Sequence, residues 1–116
     1  MANEIRLGFS MSYSKNGATL TRAETDEVTQ TGDAFIHSIQ TITTSNVALV
    51  EPDAITTLGY IFVKNLHSTQ YCDVGLTDSF TIRLLAGQFA IFPAAGAIFA
   101  KAEGASTNVE YIIFEL

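Results

Sequence analysis

The sequence predicts an all-β protein, an antiparallel β-sandwich or jelly roll, formed by a single domain that spans residues 1–116. Three observations support this prediction. Apolar and polar residues alternate along several short segments, which is the period of a half-buried β-strand. Turn-forming residues separate these segments at spacings of about 8–12 residues, as in sandwiches. No segment keeps the period of an amphipathic helix.

The clearest alternation lies near the start of the chain. Apolar residues occupy every second position there: Ile5, Leu7, Phe9, Met11 and Tyr13. The Asn16-Gly17 pair that follows is the strongest short hairpin signal, because both residues tolerate positive φ. We therefore expect a hairpin over residues 5–22. The acidic, polar segment 23–32 is expected to be a loop or a weak edge strand.

The rest of the chain contains a series of further predicted strands. They cover residues 34–44, 47–50, 58–65, 69–76, 79–84, 89–92, 98–102 and 109–116. Segment 34–44 is apolar on both faces, which suggests that one face meets the core and the other meets a partner. Segment 58–65 is a continuous β-branched and aromatic run, typical of a central strand. Residues 86–88 are expected to form a tight turn.

Length and composition narrow the class of protein. A chain of 116 residues fits one domain, and 47 % hydrophobic content with 16 % charged residues is that of a folded domain. So few charges suggest that part of the outside is covered by neighbours. The net charge of −6, with six basic residues placed singly, argues against binding to nucleic acid or to a membrane surface.

Cysteine usage and the N-terminus predict where the chain is made. Cys72 is the one cysteine, so no internal disulfide can form. The start of the sequence lacks the basic flank and apolar run of a signal peptide. The longest apolar run, residues 89–100, is interrupted by Pro93 and Gly96 and is too short to span a membrane. We expect synthesis and folding in the cytoplasm.

Candidate catalytic and metal-binding residues are few. His37 and His67 are the two histidines, and their positions give no zinc spacing, so we interpret them as ordinary polar residues of a strand and of an exposed turn. Cys72 alternates with Val74 and Leu76, which predicts a small buried hydrophobe rather than a reactive thiol.

The acidic residues and the aromatics give two further alternatives. Glu24, Asp26 and Glu27 are close enough in sequence for a Ca²⁺ loop but lack the order of ligands that such loops have, so a solvated acidic loop is preferred. Most tyrosines fall inside apolar runs, which favours packing over sugar binding. The candidate sugar-binding residues are Tyr71 with Asn65, Asp73 and Asp78.

No nucleophile elbow, phosphate loop or catalytic pair is present in the sequence. The sequence therefore predicts a protein that is not an enzyme, with no catalytic residues, no cofactor and no bound metal.

The second half of the sequence carries a recognisable series of strands and turns. Its segments are Tyr60-Ile61-Phe62-Val63-Lys64-Asn65-Leu66, Thr69-Gln70-Tyr71, Val74-Gly75, Phe80-Thr81-Ile82-Arg83-Leu84, Ala86-Gly87-Gln88-Phe89-Ala90, Ala100-Lys101-Ala102 and Val109-Glu110-Tyr111-Ile112-Ile113-Phe114-Glu115. Over residues 58–116 this series resembles small virion-associated structural proteins of tailed bacteriophages. One departure is Phe99, where the pattern has Tyr before Ala-Lys-Ala.

The resemblance implies a structural role on the virion, made in the host cytoplasm. The leading hypothesis is a head-decorating (cement) protein that binds the major capsid protein or other virion proteins as a homo-oligomer, with a trimer favoured. The alternative is a neck or tail component, including a receptor- or carbohydrate-binding module. The first and the C-terminal strands are candidates for subunit contacts or β-augmentation.

Overall fold

A computed structural model describes residues 4–51, 55–76 and 79–116. These residues fall into two compact units, one that ends at Thr31 and one that covers Gly32–Leu116. Among the described residues every regular element is a β-strand, and every strand pair is antiparallel. The all-β prediction is confirmed.

The first unit is a two-stranded hairpin, which we call the arm. Strand β1 (Ile5–Lys15) pairs with β2 (Ala18–Val28) over the full length of both strands. Asn16 and Gly17 form the turn with φ of 53° and 83°, the left-handed region that this tight turn requires.

The predicted end of the hairpin at residue 22 is wrong. Strand β2 continues to Val28, which lies opposite Ile5 in the register. Of the two alternatives for the acidic segment, the edge strand is confirmed and the loop is wrong up to Val28, because each of residues 23–28 lies opposite a residue of β1. The polar composition reflects exposure on a two-stranded ribbon rather than a break in the strand.

The second unit contains eight strands in two four-stranded sheets. The strands are β3 (Phe35–Ile42), β4 (Val47–Ala48), β5 (Leu58–Asn65), β6 (Cys72–Leu76), β7 (Ser79–Leu84), β8 (Phe89–Pro93), β9 (Phe99–Ala102) and β10 (Thr107–Glu115). The front sheet has the order β3-β10-β5-β8, and the back sheet has the order β4-β9-β6-β7. The predicted antiparallel sandwich is confirmed.

The pairing of these eight strands is nested. Strand β3 pairs with β10, β4 with β9, β5 with β8, and β6 with β7. The chain therefore forms one long folded hairpin, and the additional pairs β5–β10 and β6–β9 close it into two sheets. This topology is a jelly roll, the second form of sandwich that the sequence predicts.

The core lies between the two sheets and is built from alternate residues of both. The front sheet contributes Ile42, Ile61, Val63, Val109, Tyr111 and Ile113, and the back sheet contributes Cys72, Val74, Leu84, Ala100 and Ala102. Strand β5 lies inside the front sheet, so the predicted central strand is confirmed. Strand β10 is also flanked on both sides, by β3 and β5, so the prediction of β-augmentation at the C-terminal strand is wrong.

Two buried polar side chains fix loops of this unit through hydrogen bonds to the loop backbone. The Asn65 amide donates to the carbonyls of Gln70 and Leu84 at 2.8 and 3.0 Å, and its oxygen accepts from the backbone N–H of His67 at 2.9 Å. Asn65 thereby fixes the turn after β5, which is why β6 begins at Cys72 and not at the predicted residue 69.

Glu115, at the end of β10, is the second such residue. Its carboxylate accepts hydrogen bonds from the backbone N–H groups of Asp33, Ala34 and Thr56, at 3.0–3.2 Å, and from the Thr56 hydroxyl at 3.1 Å. These bonds, led by that from the Thr56 backbone, hold the pKa of Glu115 below its ordinary value. A side chain at Gly32 would overlap this carboxylate, so glycine is required there.

Candidate functional site

The structure separates the two histidines that the sequence singled out. His37 lies on the outer side of β3, where its Nε2 is 2.7 Å from a Glu110 carboxylate oxygen. His67 lies in the turn after β5. Its Nδ1 accepts hydrogen bonds from the backbone N–H groups of Thr69 and Gln70, at 3.0 and 2.9 Å. His67 is thus half-buried rather than fully exposed, because its ring caps the turn.

Cys72 occupies the position that the alternation predicts. Its side chain is fully buried in the core beside Val74, and burial raises the pKa of the thiol to about 11. The interpretation as a small buried hydrophobe is confirmed. Leu76, the third residue of that alternation, is 60 % exposed at the end of β6 and does not extend the buried row.

The three carboxylates considered for calcium are divided between the two faces of the arm. Glu24 and Asp26 lie on one face of β2, and Glu27 lies on the other. Glu24 forms an ion pair with Arg22, and Glu27 lies 3.9 Å from Arg6. The expected solvated acidic loop is wrong, since the segment is a strand. Within residues 4–51, 55–76 and 79–116, no group of three His, Cys, Asp or Glu side chains is placed to hold a metal ion.

The candidate sugar-binding residues are engaged with their own chain. The Arg83 guanidinium lies 3.8 Å from the centre of the Tyr71 ring and makes a two-pronged ion pair with Asp73 at 2.8 and 3.2 Å. The Tyr71 hydroxyl donates to Glu103 at 3.0 Å, and that bond raises the pKa of the phenol. Asn65 is buried, and Asp78 lies outside the described residues.

The outer surface of the front sheet, which we call the front face, is apolar. Residues that alternate with the core point outward from its four strands. The apolar members are Phe35, Ile39, Tyr60, Phe62, Phe89, Ile91, Pro93, Ile112 and Phe114. The face continues across all four strands, since His37, Ile112, Phe62 and Ile91 are direct neighbours in the strand registers.

Large side chains on the front face are exposed to solvent in the single chain. Phe35, Ile39 and Phe89 are 63 %, 61 % and 60 % exposed. Two ring pairs pack across neighbouring strands, Phe35 with Phe114 at 6.2 Å and Phe62 with Phe89 at 5.9 Å between centroids. The four strands, of eight, nine, eight and five residues, cover roughly 500 Å² in projection, an area that includes the polar residues His37, Lys64 and Glu110. Exposed apolar patches of a few hundred Å² are often functional, which makes this surface a candidate interaction site.

The charges on the front face are few and mostly paired. Glu110 lies next to Lys64 in the strand register and is bonded to His37 on its other side. Lys64 makes no ion pair within the described part of the chain. The cores of protein interfaces are likewise poor in charged residues and rich in aromatic residues.

The outer surface of the back sheet has the opposite character. Asp73 lies between Lys101 and Arg83 in the strand registers, and Thr81 also points outward from β7. On this face the Arg83 guanidinium has both of its partners, the Asp73 carboxylate and the Tyr71 ring, within the same chain. The two outer surfaces of the sandwich therefore differ, one suited to water and one suited to a partner.

A groove lies near the end of the sandwich. It has a volume of about 610 Å³ and is lined by Ile55, Leu58 and residues 94–97, with Glu51, Thr56 and Thr57 as its polar members. Its described lining residues include no cysteine, serine or histidine and no pair of carboxylates. The front face is thus the strongest candidate site that the described residues offer.

Sequence reasoning identified part of the front face. The two-faced character of segment 34–44 indicated its β3 edge, and the apolar segment 89–100 indicated its β8 edge. The C-terminal strand was named as a candidate for subunit contacts, but its place at the centre of an apolar face was not predicted, although the continuous run from Tyr111 to Phe114 shows that this strand is apolar on both faces.

Comparisons with known protein families, with curated proteins and with solved structures give no match for this chain. The described residues contain no helix that could cross a membrane.

Proposed function

We propose that this protein is a structural subunit of a tailed-bacteriophage virion, a head-decorating protein that associates with copies of itself, as a trimer, and attaches to the capsid shell. The observation that supports self-association best is the front face, an exposed apolar sheet surface set against a polar, internally satisfied back face. The assignment to a virion rests on the resemblance of residues 58–116 to virion-associated proteins.

The physical case for a binding role is the exposure of the front face. Rings such as Phe35 and Phe89 stay largely in contact with water in the single chain, and covering them removes apolar area worth about 25 cal/mol per Å². An isologous or ring-forming contact between copies supplies such a cover. On a particle, many weak attachments then add up through the lattice.

The virion assignment is tested with purified particles of the phage that encodes the chain. We expect the chain among the particle proteins by mass spectrometry, and antibody against the folded chain should label the heads in electron micrographs. Label confined to the neck or tail would favour the alternative position. Particles that lack the chain altogether would overturn the virion assignment.

A further inference from the structure

One row of residues across the front face combines two very exposed apolar side chains with two charges. The strand registers place Glu110 between Ile39 and Lys64, and they place Phe89 on the other side of Lys64. The ends of this row, Ile39 and Phe89, are 61 % and 60 % exposed. Because the carboxylate and the ammonium group lie between these ends, a partner surface that covers both ends also covers the two charges.

His37 adds a titratable group to these two charges, and we call His37, Lys64 and Glu110 the charge cluster. His37 lies on β3 in the neighbouring row of the face, and its Nε2 is 2.7 Å from the Glu110 carboxylate. An ionised carboxylate only accepts hydrogen bonds, so the neutral ring donates from Nε2, and protonation adds a proton at Nδ1. The contact with Glu110 is therefore compatible with both charge states of the imidazole.

The surroundings of His37 determine the net charge of the cluster. Among the described residues of the front face, the charged side chains around His37 are Glu110 on β10 and, one strand further, Lys64 on β5. Strand β8 contributes apolar side chains, and β3 is the edge of its sheet. Tyr60 also lies on this face, but a phenol ordinarily ionises near pH 10, above the range in which histidine changes charge. The cluster thus has no net charge with a neutral imidazole and one net positive charge with a protonated imidazole.

We propose that His37 makes self-association through the front face depend on pH, with a weaker contact when the imidazole is protonated; this inference rests on the proposed self-association. Covering a cluster without net charge costs less free energy than covering one with a net charge, because an apolar cover removes the water that solvates the charge. Histidine ordinarily changes charge between about pH 5 and 8. The subunits therefore associate most tightly at mildly alkaline pH and dissociate more readily as the solution becomes acidic.

The proposal is tested by sedimentation velocity of the full-length chain over dilution series at pH 8 and at pH 5.5. We expect the dissociation constant to rise about tenfold from pH 8 to pH 5.5, the effect of one additional charge at a partly buried contact. His37→Gln replaces the imidazole by an amide that stays neutral and can still donate to Glu110, and it should remove this rise. His67→Gln alters the other histidine, in the turn after β5, and is the matched control that should keep the rise.

A second variant, Lys64→Gln, should reverse the direction of the pH dependence. Without the ammonium group the cluster carries the Glu110 charge alone at pH 8, and it becomes neutral when His37 is protonated. The dissociation constant of Lys64→Gln should therefore fall from pH 8 to pH 5.5, opposite to that of the unmodified chain. A role of Lys64 in folding alone would not invert the pH dependence, and circular dichroism at both pH values checks that each variant is folded.

The outcomes separate the pH proposal from the proposed function. An oligomer with the same dissociation constant at both pH values would overturn the proposal and leave self-association intact. The same holds for a rise that persists in His37→Gln, for a rise that His67→Gln removes, and for a Lys64→Gln chain that changes in the same direction as the unmodified chain. A chain of monomeric mass at every concentration and at both pH values would defeat self-association, and the pH proposal with it.

Discussion

Glu115 makes the stability of the sandwich depend on pH. Its pKa is lowered in the folded chain, so the ionised form stabilises the fold above the unfolded pKa, and this contribution is lost as the pH falls through the folded pKa. We expect Glu115→Gln to lower the free energy of unfolding at pH 7, because an amide cannot accept all the hydrogen bonds that the carboxylate accepts. Denaturant titrations at pH 7, 5 and 3 should show the difference shrinking toward low pH.

The matched control for that measurement is Glu103→Gln. Glu103 is an exposed glutamate of the same unit whose carboxylate accepts a hydrogen bond from the Tyr71 hydroxyl. This variant should change the free energy of unfolding little at any pH. A Glu115→Gln difference that stays constant from pH 7 to pH 3 would contradict the role assigned to the carboxylate.

The burial of a single residue was predictable from the sequence where the alternation along a strand determines which side chains face the core. Cys72 is the example, because its alternation with Val74 placed it in the core. The role of Glu115 was not predictable, since its partners Asp33 and Thr56 are 82 and 59 residues away in the chain. Local pattern carries no information about hydrogen bonds that only the folded topology creates.

At the scale of elements, a charge added to the front face should weaken self-association, whereas a charge added to the outer surface of the back sheet should not. Phe89→Lys alters an exposed ring on β8, and Thr81→Lys alters an exposed residue on β7 of the other sheet. Both positions are on the surface, but Phe89→Lys also removes the ring contact with Phe62 and places a lysine opposite Lys64, so the free energy of unfolding of both variants is measured beside their association. We expect Phe89→Lys to weaken self-association by about tenfold or more, measured by sedimentation velocity over a dilution series, and Thr81→Lys to leave it nearly unchanged.

If Thr81→Lys weakens self-association as much as Phe89→Lys does, the contact is not at the front face. If neither variant has an effect, the apolar surface of β8 is not part of the contact. Circular dichroism of both variants should match the unmodified chain, which ensures that the comparison concerns association and not folding.

Element positions followed from the sequence well where apolar runs are bounded by turns. Strands β5 and β7 begin and end where the sequence predicts, and the Asn16-Gly17 turn is confirmed. For the acidic half of β2 the sequence left a loop and a weak edge strand as alternatives, because the stability of this segment comes from cross-strand pairing with β1 and not from its own residues.

At the scale of the whole molecule, the sequence predicted the class of fold but not which strands pair with one another. Ten short strands with regular turns indicate a sandwich, yet many pairings of such strands are compatible with the same pattern. The innermost pair, β6–β7, joins neighbouring segments, whereas the outermost pair, β3–β10, places Ile42 opposite Thr107 and Phe35 opposite Phe114. This strand connectivity places β10 inside the front sheet and so creates a largely apolar face that continues across four strands. Whether residues 1–116 behave as one domain stays a prediction.

The central claim is that this chain is an assembly subunit, and sedimentation equilibrium of the unmodified protein tests it most directly. Over a dilution series we predict a mass that reaches three times the 12.5 kDa of the chain at high concentration and falls only on strong dilution. A mass of 12.5 kDa at every concentration would contradict the account.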